Sequence, residues 1–385
     1  MHQEMYVKAF SLYLWTRITA VYGAYYLPLS GNVYPAGHYT VTMEIGNPPK
    51  PFVLDVILLG FSVFNNPYDF RNEAVISCAD SACISLGGLR DHYTDICESS
   101  DVPCQYSFNY ADGSLSQGIL IRDTFPLTYN GETIYPTLSF GCGDPIQYAH
   151  SSHGHDAPID GVLGLGKGES GILKQLSNMG VTRNVVGHCL SGHGGGYISF
   201  NEVPASIVWK HTLNNDGPYY NLGIAKILFG RRTTNIRRYT TIFDSGSTYT
   251  YLASKAYWTI FDLVSLKINN NLNGRLSVAV GDDTLPVCWQ DVRPIETISQ
   301  VDSYFVPLTL SFVDEKVGFE IPPQNYLIIS EKNNVCLGIM ENPEYELRDI
   351  HLIGDISMQD KLVIYDNDNG RVGWATVPTC NIFDQ

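Results

Sequence analysis

Four consecutive residues, Asp244-Ser245-Gly246-Ser247, combine a carboxylate with two hydroxyl groups directly after the apolar run Thr241-Ile242-Phe243. An apolar strand would bury the carboxylate, glycine would allow the tight turn that presents it, and the flanking hydroxyls could donate hydrogen bonds to it. Two such carboxylates facing each other share one proton, so that one activates a water while the other polarises the bond that is attacked. The segment therefore predicts half of a site for acid-base hydrolysis, with Asp244 catalytic and the next three residues supporting it.

An internal repeat predicts that this arrangement occurs twice. Gly161-Val162-Leu163-Gly164 and Leu352-Ile353-Gly354 each place two apolar residues before a glycine, and Gly354 lies 110 positions after Asp244. A similar step back from Gly164 reaches the apolar segment at residues 52–60, which contains Asp55. Self-similar segments at a fixed separation indicate duplicated lobes, each delivering one side of a shared site.

The pattern of apolar residues is that of an all-β fold with a few short helices. Residues 39–44 alternate apolar and polar side chains as a half-buried strand does, and Gly46-Asn47-Pro48-Pro49 follows as a turn. Hairpin turns are predicted where Asp, Asn and Gly cluster, at residues 111–114, 130–131 and 367–370. Helical periodicity is limited to three segments, at residues 171–180, 254–272 and 356–360.

Length and charge limit the class of protein. The 385 residues are too many for one ordinary core and fit two lobes around a shared cleft. The 24 Lys and Arg residues against 39 Asp and Glu give a net charge of -15, and no basic stretch is long enough to follow a phosphate backbone. We therefore expect no nucleic-acid partner. No apolar run reaches the roughly 18 to 20 residues that a membrane span needs, so none is expected.

Nine cysteines, four of them clustered, predict disulfides and therefore a secretory compartment. The cluster consists of Cys78, Cys83, Cys97 and Cys104, and its spacing contains no Cys-x-x-Cys pair. A zinc site is the alternative for this cluster, but the irregular spacing favours disulfides. The odd total means that at least one cysteine lies outside any internal bridge.

Residues 5–24 resemble a damaged signal peptide. A short apolar run at residues 9–15 follows Lys8, and Arg17 comes soon after it. Together with the cysteines, this segment predicts the secretory pathway, with an extracellular or vacuolar destination.

The chain resembles the pepsin-type aspartic proteases, most closely the plant nucellin and nepenthesin-like group, over about residues 31 to 380. The segments that carry the resemblance are Gly37-His38-Tyr39-Thr40-Val41, Ile45-Gly46-Asn47-Pro48-Pro49, Asn109-Tyr110-Ala111-Asp112-Gly113-Ser114, Phe140-Gly141-Cys142-Gly143, Asp160-Gly161-Val162-Leu163-Gly164-Leu165-Gly166, Phe243-Asp244-Ser245-Gly246-Ser247 and Leu352-Ile353-Gly354-Asp355. The resemblance implies an all-β, two-lobed pepsin-like fold with a leader at residues 1–30, an N-terminal lobe at 31–205 and a C-terminal lobe at 206–385. It also implies hydrolysis of peptide or protein substrates, in the cleft between the lobes, by a monomer that needs no cofactor or metal.

By the same resemblance, Tyr110 lies near the tip of a β-hairpin flap in the N-terminal lobe. Tyr110, Asp112 and Gly113 would then close over the substrate and exclude water from it. An ordinary hairpin tyrosine is the alternative for Tyr110.

The first catalytic motif departs from the family pattern. Where the family has Asp-Thr-Gly-Ser, the chain has Ile57-Leu58-Leu59-Gly60, so Ile57 stands in place of the first catalytic aspartate. Asp55 is the alternative for the first catalytic aspartate, because its spacing of 109 residues to Gly164 fits the repeat. It lies two residues before the family position, however, and no hydroxyl or glycine turn follows it. We expect weak or absent hydrolysis, because removing one member of an acid-base pair costs about 10² to 10⁴ in rate. A peptide-binding pseudoprotease is the alternative function, and a splicing or gene-model artefact within residues 50–80 the alternative origin.

The same segment accounts for the odd cysteine. Residues 61–74 contain neither the tryptophan nor the cysteine that the family has there, which leaves Cys142 outside the expected disulfides. The resemblance implies two bridges among the four clustered cysteines, and two further bridges that pair Cys189 with Cys380 and Cys288 with Cys336.

Two other motifs suggest different chemistry. Gly161-Val162-Leu163-Gly164-Leu165-Gly166-Lys167 resembles a phosphate-binding loop, but Gly168 stands where Ser or Thr should bind magnesium, and an all-β pattern lacks the strand-to-helix unit. A metal could bind to His150, His153, His155 and Asp156, although histidines in a glycine-rich stretch are typical of a solvated loop. We expect neither a nucleotide nor a metal.

Overall fold

β-strands are the main element of the described chain, and in several of them buried and exposed side chains alternate. From Tyr39 to Ile45 every second residue is buried and the residues between are more exposed, which is the period of a sheet with one buried face. The computed structural model describes residues 24–57, 62–64, 74–85, 101–109, 115–129, 132–143, 160–213, 219–236, 239–270, 275–312, 317–342 and 349–381.

The N-terminal half contains twelve of the strands that the structure describes. They are β1 (Tyr25–Asn32), β2 (His38–Ile45), β3 (Lys50–Ile57), β4 (Val63–Phe64), β5 (Gln105–Asn109), β6 (Leu115–Thr124), β7 (Leu127–Tyr129), β8 (Glu132–Ile134), β9 (Thr137–Gly143), β10 (Gly161–Gly164), β11 (Val185–Leu190) and β12 (Gly196–Phe200). Strand β1 begins at Tyr25 and pairs with β2 and β12, so residues 25–30 lie in a sheet.

The C-terminal half supplies the other described strands. They are β13 (Val208–His211), β14 (Tyr220–Phe229), β15 (Arg232–Thr233), β16 (Tyr239–Phe243), β17 (Thr250–Leu252), β18 (Ser277–Val278), β19 (Cys288–Gln290), β20 (Leu308–Phe312), β21 (Gly318–Ile321), β22 (Leu327–Ile329), β23 (Val335–Leu337), β24 (Ile339–Glu341), β25 (Ile350–Ile353), β26 (Lys361–Asp366) and β27 (Arg371–Thr376). The expected hairpin at residues 367–370 joins β26 to β27.

Helices are few and short, as the sequence predicts. They are α1 (Ser81–Ser85), α2 (Ile172–Asn178), α3 (Ser254–Asn269) and α4 (Asp355–Met358). In α3, Tyr257, Ile260 and Val264 are buried on one face, which matches the helical period. Helix α1 has no counterpart in the prediction. No helix in the described segments is both long and apolar enough to cross a membrane.

The two halves of the chain share one sheet. This sheet has thirteen strands in the order β13-β27-β26-β11-β12-β1-β2-β3-β10-β4-β9-β6-β5, so three strands of the C-terminal half extend a sheet of the N-terminal half. The junction is the antiparallel pairing of β11 with β26, from Val185 opposite Asp366 to Cys189 opposite Leu362. A second, eight-stranded sheet belongs to the C-terminal half alone. The all-β class is confirmed, and the division at residue 205 stays a prediction.

Candidate active site

Asp244 follows the end of strand β16 and is held by the turn that comes after it. The Gly246 amide donates to one carboxylate oxygen at 2.9 Å and the Ser247 hydroxyl donates to the other at 2.8 Å. The Asp244 amide in turn donates to the Ile353 carbonyl at 3.0 Å. The sequence-predicted support from Gly246 and Ser247 is thus formed, while Ser245 is buried beside them.

The strand before Asp244 is buried, and Asp244 itself is half-buried at the end of it. Phe243 is fully buried, with its ring 4.8 Å from that of Phe319. Desolvation raises the pKa of the Asp244 carboxyl above its usual range, and the hydrogen bonds from Ser247 and Gly246 lower it. A carboxyl with a raised pKa can hold a proton in mild acid, as one member of an acid-base pair must.

Ile57 occupies the position in the N-terminal half that corresponds to Asp244. Strands β3 and β10 run parallel, with Ile57 opposite Gly164. Strands β16 and β25 also run parallel, with Phe243 opposite Ile353, and continuing this register by one residue sets Asp244 opposite Gly354. The two glycines of the predicted repeat therefore lie opposite equivalent positions. Gly354 is opposite Asp244, whereas Gly164 is opposite Ile57.

Ile57 and Asp244 both lie next to Gly246. A Cβ built on Gly246 would lie 3.1 Å from the Asp244 Oδ1 atom and 3.1 Å from the Ile57 Cγ2 atom. The Ile57 methyl group is therefore packed against the turn that holds the Asp244 carboxylate. A branched alkyl group neither donates nor accepts a proton, so Ile57 cannot share one with Asp244.

Asp55 lies two residues earlier on the same face of β3. It is opposite Val162, as Ile242 is opposite Leu352 in the C-terminal half, so the structural counterpart of Asp55 is Ile242 rather than Asp244. Burial raises the pKa of the Asp55 carboxyl to about 6, and a hydrogen bond involving the Val56 backbone lowers it. Asp55 is a protonatable group near the site, but it is one pleat away from the position facing Asp244.

Asp355 is a third carboxyl in this neighbourhood, and the sequence assigned it no role. It opens helix α4 directly after Gly354, is only 4% exposed, and its amide donates to the Ser247 carbonyl at 2.8 Å. Burial, followed by the charges of Asp55 and Asp244, raises its pKa well above the usual range. Its position within Leu352-Ile353-Gly354-Asp355 was the available signal, but only the fold brings it near carboxylates so distant in the chain.

The raised pKa of Asp55 predicts a specific dependence of stability on pH. The folded chain holds the proton up to about pH 6, whereas an unfolded aspartate releases it near 3.8. The stabilising effect of this proton is therefore complete below about pH 3.8 and is lost as the pH rises to about 6. The replacement Asp55→Asn, which cannot ionise, should gain up to about 3 kcal/mol relative to wild type between pH 3.5 and pH 7. Urea unfolding at the two pH values measures this gain.

The control for this measurement is Asp262→Asn in helix α3. The Asp262 side chain is exposed to water on α3, so Asp262→Asn makes the same substitution at a site that lacks the burial of Asp55. A parallel pH profile for Asp55→Asn and wild type would contradict the raised pKa of the half-buried Asp55.

Contacts between the two halves hold the site together. The Thr248 hydroxyl, one residue beyond the Asp244 turn, donates to the Gly37 carbonyl. The Tyr39 hydroxyl donates to the Ser191 carbonyl at 3.0 Å and accepts from the Gln359 amide at 2.9 Å. Gly37, directly before β2, is thereby tied to the segment after Asp244, and Tyr39 within β2 is tied to the segment after α4.

Both long-range disulfides implied by the resemblance are formed, between Cys189 and Cys380 and between Cys288 and Cys336. In the cluster, Cys83 is bonded to Cys104 and Cys78 is disulfide-bonded as well, so these sulfurs are not available to zinc. Cys142 is buried and in no disulfide among the described residues. Asp282 lies near the sulfurs of the Cys288–Cys336 pair, but disulfide sulfurs are not thiolate ligands.

Several predicted residues lie outside the described part of the chain. They are the flap residues Tyr110, Asp112 and Gly113, the clustered Cys97, and the possible metal ligands His150, His153, His155 and Asp156. One argument against a phosphate-binding loop is wrong, because β10 is followed by helix α2 and a strand-to-helix unit does exist. The loop is still not formed, since Gly161 and Gly164 pair within β10 instead of turning around a phosphate.

Comparison with known proteins identifies relatives over nearly the whole chain. Residues 39–201 match the family model described as xylanase inhibitor N-terminal, and residues 219–376 match that described as xylanase inhibitor C-terminal. An aspartic proteinase of Oryza sativa subsp. japonica is 35% identical over 95% of this chain and 93% of that protein. Aspartic proteinase nepenthesin-2 of Nepenthes gracilis is 26% identical over 82% of this chain and 67% of that protein.

Solved structures share the fold at low sequence identity. The crystal structure of basic 7S globulin from soybean superimposes with a TM-score of 0.73 and 15% identity, over 92% of this chain and 95% of that one. The aspartic proteinase from Irpex lacteus superimposes with a TM-score of 0.65 and 15% identity, over 94% of this chain and all of that one. The two-lobed architecture expected from the sequence is thus that of pepsin-like proteins.

Proposed function

Because this chain belongs to the pepsin-like aspartic proteinase family of plants, we propose that it binds peptide segments between its lobes but hydrolyses them weakly or not at all. The observation that carries the proposal is the contact of Ile57 with the Asp244 turn, at the place where the second carboxylate would be required. A single aspartate can act as base or as acid in one step, but hydrolysis needs both roles at once. Slow hydrolysis would require Asp55 or Asp355 to act as the second carboxyl of the acid-base pair with Asp244.

The surroundings of Ile57 favour binding over slow catalysis. Asp244 accepts its two hydrogen bonds from the turn, so its carboxyl is held in the position to hydrogen-bond a substrate carbonyl or hydroxyl. Asp55 stands one pleat away and Asp355 is buried behind the turn, so neither faces Asp244 in the position of a partner carboxylate. The family model's description as a xylanase inhibitor supports the idea that this fold also serves protein binding.

The test combines a hydrolysis assay with a binding assay on the purified chain. We expect no acid-optimum cleavage of a denatured protein substrate at pH 3 to 6, together with saturable binding of a peptide that carries a hydroxyl-bearing mimic of the transition state. The replacement Asp244→Asn should weaken that binding, because a neutral amide loses the charge-assisted hydrogen bonds. Ordinary proteolysis that disappears in Asp244→Asn would contradict the proposal.

We further propose that the chain works as a monomer in an oxidising compartment of the secretory pathway, extracellular or vacuolar. The disulfides of the described residues support this, because such bonds persist outside the reducing cytosol. Size-exclusion chromatography with light scattering tests the monomer, and fractionation of the tissue that makes the protein tests the compartment.

A further inference from the structure

A polar cavity lies away from the Asp244 turn, where segments from both halves of the chain meet. Its volume is about 280 Å³, and the residues that carry the argument are Lys167, Glu169, Lys174, Asn184, Tyr220 and Arg371. These come from the segment between β10 and α2, from α2 itself, from the residue before β11, and from the starts of β14 and β27. The sequence brings none of them together.

Positive charge dominates the cavity wall. Among the lining residues, three carry positive charge, Lys167, Lys174 and Arg371, and one is an acid, Glu169, while the buried Asp366 pairs with Arg371 from behind the wall. The net charge of the whole chain is -15. Glu169 is largely exposed and lies 3.5 Å from the Lys174 ammonium, so the pair is weak and screened by water. The cavity therefore departs in sign from the rest of the protein.

Arg371 is held in place through its Nε atom and its guanidinium plane, while its terminal Nη groups can still donate hydrogen bonds. Its Nε atom donates to the buried Asp366 carboxylate at 2.8 Å, and its guanidinium stacks over the Trp209 ring at 3.9 Å. Within the described part of the chain, its terminal Nη groups make no hydrogen bond. An arginine fixed at Nε with free Nη groups is suited to bind a carboxylate or phosphate oxygen.

Neutral donors complete the wall. Tyr220 is only 2% exposed. Its hydroxyl lies near the Asn367 amide but makes no hydrogen bond of good geometry to any described residue. Asn184 accepts from Asn367 at 3.1 Å, which leaves the Asn184 amide nitrogen able to donate. Buried hydroxyls are rarely left unpaired in folded proteins, so the Tyr220 hydroxyl points to a missing ligand atom.

We propose that this cavity binds a small oxyanion, the phosphate group of a phosphorylated metabolite or the carboxylate of an acidic peptide. Lys167, Lys174 and Arg371 supply the charge, while Tyr220 and Asn184 supply directional donors. The cavity is larger than one phosphate group, so the ligand extends beyond the oxyanion. Because Tyr220 is the register partner of Phe243, which precedes Asp244, the bound ligand lies one strand pair from the candidate active site.

The experiment titrates purified protein with inorganic phosphate, a sugar phosphate and an acidic peptide, each followed by calorimetry and by the melting temperature. We expect saturable binding of at least one probe, with a melting temperature that rises with ligand concentration. Lys174→Gln should weaken binding about tenfold, since it removes one charge-assisted contact. Tyr220→Phe should also weaken it while leaving the stability of the ligand-free protein nearly unchanged, because the hydroxyl has only the Asn367 amide as a polar neighbour among the described residues.

The matched control is Lys255→Gln, which removes an exposed lysine on helix α3 outside the cavity and should bind like wild type. Circular dichroism verifies that each variant is folded before it is titrated. The proposal is overturned if no probe binds saturably up to about 50 mM, or if Lys174→Gln and Tyr220→Phe bind as tightly as the control.

Discussion

Replacing Ile57 with Asp, together with Leu58→Thr and Leu59→Gly, is expected to raise the peptidase rate of the purified chain at pH 3 to 5 by at least about 100-fold. The three changes restore the carboxylate, the hydroxyl and the glycine turn that the family carries at this place. The register of β3 with β10 already presents position 57 opposite Gly164, and Gly246 already brings it against the Asp244 turn. The new carboxylate would therefore face Asp244 and share a proton with it. Initial rates on a fluorogenic peptide measure the gain.

Two controls separate the acid-base pair from a general loosening of the site. The variant with Asn in place of Asp at position 57 has nearly the same shape but cannot ionise, so it should show no gain. Adding Asp244→Asn to the restored variant should abolish the gain, because each carboxylate needs the other. If the restored variant folds normally and stays inactive, Ile57 is not the cause of the missing activity, and the role assigned to its position is wrong.

Removing the Cys189–Cys380 disulfide is expected to lower the free energy of unfolding by about 5 kcal/mol. The bond closes a loop of 191 residues, and a crosslink over a long loop removes much conformational entropy from the unfolded chain. Both cysteines are buried in a small cluster that also contains Val185 and Leu362, at the junction where β11 meets β26. The double replacement of Cys189 and Cys380 by Ala, followed by denaturant unfolding, measures the loss.

The Cys288–Cys336 pair provides a matched control for loop length. All four cysteines are buried, so the cost of the small cavity left by alanine is similar in both double variants. The control bond closes 48 residues, and the entropy model gives about 4 kcal/mol for it, roughly 1 kcal/mol less than for the longer loop. A smaller loss for the longer loop would show that native packing, rather than chain entropy, decides the stabilisation.

Local chemistry around Asp244 was predictable from the sequence because it depends on neighbours only a few residues apart. The Gly246 amide and Ser247 hydroxyl reach Asp244 across a single turn, so the spacing alone specifies the hydrogen bonds. The same holds for helix α3, whose apolar period is complete within one segment. Helix α1 was not predicted from the sequence.

Partners across the molecule were predictable only in outline. The repeat indicated that Gly164 and Gly354 would mark equivalent places, but either Asp55 or Ile57 was compatible with the spacing. The parallel register of β3 with β10 shows that Ile57, and not Asp55, lies opposite Gly164. A shift of two residues along a strand moves a side chain by one full pleat, so Asp55 cannot take the same position.

The sequence by itself determined the all-β class, the duplicated halves and the turn that holds Asp244, since these arise from short-range alternation and turn chemistry. The tertiary structure alone decided what faces that aspartate: an isoleucine packed against Gly246, with Asp355 buried close enough to Asp244 for their charges to interact. It also gathered Lys167, Lys174 and Arg371 around one cavity, although about 200 residues separate the lysines from the arginine. Such groups meet only through strand register and sheet order, which no local pattern encodes.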